Sequence, residues 1–109
     1  MIVCLDFDGV LHDSQHPLRG RKMGPPMPGA LEAVAEMRRR GYRLVIHTSR
    51  VAVERQAQHV YDWLKFYGFP MIPVKVEKPP ADVYVDDKGY QFEGWHAAVD
   101  WIAYYEPRS

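Results

Sequence analysis

The apolar run Ile2-Val3-Cys4-Leu5 ends in Asp6-Phe7-Asp8-Gly9, and this junction constrains the chain more than any other stretch. A near-continuous apolar run reads as a buried strand of a parallel sheet. Two carboxylates spaced i, i+2 at its end need compensation, because an unpaired acid in a low-dielectric site is neutralised by a shifted pKa. Gly9 permits a sharp departure of the backbone directly afterwards. A hard cation such as Mg2+ fits the demand, with further carboxylate expected elsewhere. Asp86-Asp87 is that source.

The remaining chain alternates strands with helices. A helix is predicted from Pro28 to Arg40, with Ala30, Leu31, Val34, Ala35 and Met37 on its buried face and Arg38-Arg39-Arg40 complementing its negative end. Tyr42 to His47 reads as a strand ending in Thr48-Ser49-Arg50. Val53 to Tyr67 carries Val53, Ala57, Val60, Tyr61, Leu64 and Tyr67 at helical spacing, closed by Gly68 and Pro70. Met71 to Val76, interrupted by Pro73, reads as a short strand that is either near a sheet edge or irregular. Ala81 to Val85 is a strand delivering Asp86-Asp87, Tyr90 to Phe92 a small strand, and Gly94 to Tyr105 a final helix with Trp95, Ala98, Val99 and Ile102 facing the sheet. This order predicts one α/β domain over residues 1–109, a three-layer α/β/α, Rossmann-like, mainly parallel sheet.

Residues 9 to 27 show no sustained period and read as a loop or small flap with a short hairpin. Its Arg19, Arg21 and Lys22 fit a solvated loop face, with phosphate contact as the alternative; His12 and His16 lie near the acidic site in sequence and are expected to be exposed polar loop residues, with a part in that site as the alternative.

Charge narrows the partners. Fourteen basic and fourteen acidic residues balance, so no global field favours nucleic acid or an anionic membrane, and any attraction to phosphate has to be local. The single Cys4 makes no internal disulfide and reads as an inert packing residue. With no charged n-region followed by an apolar stretch and no membrane-length apolar run, a cytoplasmic location is expected.

In parallel sheets ligands bind beyond the carboxyl ends of the strands. Three strands here end in reactive groups: Asp6 and Asp8, Thr48 to Arg50, and Asp86-Asp87, with Lys78 close in sequence to the third. Oxygen-only donors favour Mg2+ over zinc. Such a set suits phosphoryl transfer: a cation and a lysine neutralise the phosphate, a hydroxyl donates to its oxygens, one carboxylate attacks and another moves protons.

Asp6-Phe7-Asp8-Gly9-Val10-Leu11 resembles the first motif of the haloacid dehalogenase superfamily, most of whose members are phosphatases. Thr48 matches the second motif, Lys78 resembles the third, and Asp86-Asp87 matches the acidic fourth, in order across residues 6 to 87. The resemblance implies Asp6 as the nucleophile forming an aspartyl-phosphate and Asp8 as general acid and base. It implies Mg2+ held by the Asp6 side chain, the Asp8 backbone carbonyl and Asp86, with Asp87 a ligand or a water-mediated partner. Thr48 and Lys78 would bind the transferred phosphate, Lys78 also restraining the charge of Asp6, with Ser49 alongside. Arg50 fits either a substrate contact beyond the phosphate or a surface ion pair.

Lys78, followed by two prolines and only eight residues before Asp86, is expected on a rigid loop. The short link from first strand to first helix leaves no room for a cap domain. Capless members accept bulky substrates such as phosphorylated nucleic acid, protein or glycan, or build a lid by oligomerising. The alternatives are a catalytically idle binding module on the same scaffold and a phospho-accepting signalling domain; the latter needs an Asp at a middle strand end, where this chain has His47-Thr48-Ser49.

Overall fold

In β1 (Ile2–Asp6), alternation sends Val3 and Leu5 to one face of the sheet and Cys4 to the other, and all three are buried. The structure, a computed structural model, describes residues 1–13, 23–48, 54–86 and 94–104, and of residues 54–57 only the backbone. After β1 come α1 (Ala30–Arg39), β2 (Arg43–His47), α2 (Glu54–Phe66), β3 (Val74–Lys75), β4 (Val83–Val85) and α3 (Trp95–Tyr104). The strands form one sheet in the order β3-β2-β1-β4, and every pairing is parallel. The result is a Rossmann-like α/β fold in which residues 7–29 alone connect β1 to α1 and no cap domain is inserted.

Register decides which side chains meet. Leu5 lies level with Ile46 on one side and Val85 on the other, and Val3 with Leu44 and Val83. This face shares a core with Ala30, Val34 and Met37 of α1, Val60 and Leu64 of α2, and Trp95, Ala98 and Ile102 of α3. Burying such aliphatic and aromatic side chains contributes about 1.5–3 kcal/mol each. On the opposite face Cys4 and Val45 are buried as well. The edge position expected for the strand around Pro73 is observed, and Pro73 still accepts a hydrogen bond from the Ile46 N–H.

Both helices that feed the sheet stop in the same way. The N–H of Gly41 donates to Arg38 and that of Tyr42 to Met37; the N–H of Gly68 donates to Lys65 and that of Phe69 to Leu64. These are Schellman pairings, and they need the left-handed glycine that each position supplies, at φ 83° and 82°.

Two expectations for α1 are corrected. Leu31 and Ala35 are exposed, and the buried stripe runs Ala30, Ala33, Val34, Met37. Steps of three and four from Ala30 reach Ala33 and Val34, whereas Leu31 and Ala35 sit off that line. Trp63, off the helical stripe expected for α2, belongs to the core and is 6% exposed. The predicted strand at 90–92 and the contributions of Val53 and Ala57 lie outside what is described. Among the described residues no helix is long and apolar enough to cross a membrane.

Candidate active site

Because β1, β2 and β4 run parallel, their carboxyl ends share one sheet edge. Asp6 is the last residue of β1, paired in register with His47, the last of β2; Thr48 follows. On the other side Leu5 pairs with Val85, which sets Asp86 level with Asp6 on the neighbouring strand, about 5 Å away. Thr48 and Asp86 are both buried, while the Asp6 side chain is partly exposed.

Lys78 comes to the same edge from the loop after β3. Its Nζ donates to Asp86 Oδ2 at 2.8 Å. That hydrogen bond holds the ammonium above the usual lysine range; partial burial opposes, and the charges of Asp86 and Asp6 add to the rise. The sign keeps Lys78 cationic throughout neutral pH. The hydrogen bond goes to Asp86, and Asp6 acts on Lys78 through its charge.

The loop carrying Lys78 is pinned by Tyr84. Its hydroxyl accepts from the Ala81 N–H at 2.9 Å and donates to the Pro79 carbonyl at 2.7 Å, and Lys78 Nζ lies 5.0 Å from the centre of its ring. Pro79 and Pro80 leave few N–H groups for any other anchoring. Tyr84→Phe is therefore expected to cost about 1–2 kcal/mol in urea unfolding, the scale of lost hydrogen bonds at a half-buried site. Unchanged stability would show that water replaces the phenol fully.

After β1 the chain turns sharply. Val10, Leu11 and His12 all direct their N–H groups at the Phe7 carbonyl, at 3.4, 3.0 and 2.9 Å, and Gly9 takes a φ of 81° in the turn. A side chain at Gly9 would meet nothing within 4 Å, so only backbone strain forbids one there. The segment returns beside itself: Asp13 N–H donates to Pro25 O and Met27 N–H to Leu11 O, both at 2.8 Å. This is the base of the expected hairpin.

His12 is corrected. It is 1% exposed and its Nδ1 lies 2.7 Å from Asp8 Oδ1, while its Nε2 accepts the Gly24 N–H at 2.8 Å. The i, i+4 pairing with Asp8 was hidden because nothing in a glycine-rich, aperiodic stretch signals a returning strand. His47, read from sequence only as the end of a strand, also meets the site: its Nδ1 donates to Asp6 Oδ1 at 3.3 Å.

Cys4 borders the same acids from below. Burial, then the Asp6 charge, push its thiol from 9.0 up to about 11, with Asp86 adding and Lys78 opposing. At pH 8 alkylation of the native protein should run at least about 100-fold slower than that of a free thiol, since the thiolate fraction falls by that factor before burial slows access further. Labelling at the free-thiol rate would contradict this packing.

Of the expected site residues, Asp6, Asp8, Thr48, Lys78 and Asp86 are described and stand at this edge or one turn beyond it. Ser49, Arg50 and Asp87 lie outside the described residues, as do His16, Arg19, Arg21, Lys22 and Lys88. Among the described residues no three His, Cys, Asp or Glu side chains gather as a ligand set. The donors this edge offers are the Asp6 and Asp86 carboxylates on adjacent strand ends, both oxygen. Their hardness fits Mg2+, which keeps several waters and takes only one or two carboxylates.

No protein-family model matches the sequence, and no curated protein matches it. Among solved structures, the chain is similar to a conserved protein coded by a locus of Bacteroides thetaiotaomicron, with 19% identity and a TM-score of 0.76 over 98% of this chain and 93% of that one. At this identity the likeness establishes the shared α/β fold across nearly the whole length.

Proposed function

We propose that this chain is a Mg2+-dependent phosphatase that hydrolyses a phosphomonoester through an aspartyl-phosphate, in the manner of the haloacid dehalogenase superfamily it resembles. The observation that carries the reading is the register at the sheet edge. Asp6 ends β1, Thr48 and Asp86 directly follow the neighbouring parallel strands β2 and β4, and Lys78 reaches the same edge from a fourth stretch.

Asp6 attacks phosphorus and the P–O bond to the leaving alcohol breaks, while Asp8 gives that oxygen a proton. Asp8 then takes a proton from water, whose oxygen attacks the phosphorus of the acyl phosphate; inorganic phosphate leaves and Asp6 is restored. The Thr48 hydroxyl and the Lys78 ammonium bind the transferred phosphate, and Ser49 and Arg50 are the further substrate-binding residues that the resemblance implies. Asp6, the Asp8 carbonyl and Asp86 would hold Mg2+, with Asp87 as ligand or through water. The cation's chemistry there is neutralisation of phosphoryl charge.

Because residues 7–29 insert no cap, the reading favours bulky phosphoesters, nucleotides and phosphorylated nucleic-acid ends first. It places the protein in the cytoplasm, where a lone buried thiol stays reduced. The test is release of phosphate from nucleotides, sugar phosphates and 3′- or 5′-phosphorylated oligonucleotides. Turnover that EDTA abolishes and Mg2+ restores is expected; no hydrolysis of any substrate with Mg2+ present would refute the assignment.

A further inference from the structure

The ring of His12 is held on every side. Phe7 stacks on it with centroids 5.0 Å apart, and Trp63 meets it edge-on at 5.6 Å. Trp63 Nε1 in turn donates to the Gly24 carbonyl at 2.9 Å, so the residue that binds His12 Nε2 is itself fastened to α2. A backbone N–H can only donate, so Nε2 must carry the lone pair. The tautomer follows: Nδ1 carries the hydrogen and donates it to Asp8 Oδ1.

Asp8 is placed differently. Its side chain is 39% exposed, on a turn whose backbone contacts are spent on Phe7 and His12. Such a carboxylate rotates readily unless a fixed donor stops it. His12 is such a donor, buried and in one tautomer.

We infer that His12 is a positioning residue, whose Nδ1–H fixes the rotation of the Asp8 carboxylate and so aims its proton-carrying oxygen at the leaving group. The inference rests on the proposed phosphatase chemistry. It assigns His12 no proton transfer of its own; it acts through Asp8.

Two substitutions divide the two hydrogen bonds. In His12→Asn the carboxamide N–H sits where Nδ1 was and keeps the bond to Asp8; in His12→Gln the carboxamide oxygen reaches the Nε2 position and keeps only the bond to Gly24. An alkyl phosphate needs a proton donor for its poor leaving group, and 4-nitrophenyl phosphate hardly does. His12→Gln should lower kcat/KM, which reports only the steps up to loss of the leaving alcohol, by about 10–100-fold on the alkyl phosphate and by only a few-fold on the nitrophenyl ester. His12→Asn should recover most of the loss. Equal loss on both esters, or no rescue by Asn in a variant that melts like the parent, overturns the inference.

An independent arm is 15N NMR of the wild-type histidines. Protonation of His12 at Nδ1 and not Nε2, with the Nδ1–H signal shifted in Asp8→Asn, is expected. A ring protonated at Nε2 overturns the inference whatever the activity. A silent wild-type enzyme with the expected NMR signature instead locates the failure in the phosphatase reading.

Discussion

Asp6→Asn is expected to lower kcat on an aryl phosphate by at least about 10³-fold while the protein stays folded. The loss follows from the role: a carboxamide is no nucleophile, and removing the atom that forms the covalent bond takes away a whole step, where altering a binding contact would only weaken one. Folding should survive because the change is isosteric and Asp6 sits at the open end of β1 with a partly exposed side chain. The His47 contact at 3.3 Å can be kept by the amide oxygen. Steady-state kinetics and a thermal melt on the same preparation check both halves. Retained turnover would dismiss Asp6 as nucleophile; collapse of the melt would make it a structural residue.

Lys78→Met is expected to injure both stability and turnover, and the two losses should respond differently to Mg2+. Asp86 is 5% exposed and takes a 2.8 Å hydrogen bond from Lys78, so its removal leaves a buried carboxylate short of compensation beside Asp6. Breaking a fully buried pair costs about 3–5 kcal/mol, and the half-exposed lysine reduces that to about 1–2 kcal/mol. For a domain of this size the melting point should fall by several degrees. Added Mg2+ should recover much of that fall by supplying positive charge to the same acids. It should not recover turnover, about 10²-fold down, because the phosphate still lacks its cationic donor. A melting loss indifferent to Mg2+ would mean that the cation does not bind at these carboxylates.

The element pattern was legible because each strand and helix here is announced by period and closed by punctuation. Gly41 and Gly68 stop α1 and α2 where the sequence placed their ends, and Pro73 marks the edge strand. Strand-end acids were equally legible, since Asp6 and Asp86 close apolar runs. The buried face of α1 departs from expectation at Leu31 and Ala35, because several nearby stripes satisfy the same spacing and only packing against the sheet and α3 selects one. His12, Trp63 and Tyr84 carried no readable signal. Their roles come from partners 12, 39 and 5 residues distant along the chain, at Gly24 and Pro79.

The sequence by itself determined that three apolar strands would end in polar groups and that helices would return the chain between them, since hydrophobic period and turn residues are local properties. Only the tertiary structure decided that Asp6 and Asp86 stand level, that Lys78 bonds Asp86, and that a histidine expected in solvent is buried with its tautomer set. Register, side-chain rotation and tautomer depend on contacts between distant segments, and those exist only once the sheet has assembled and the loop after β1 has closed on itself.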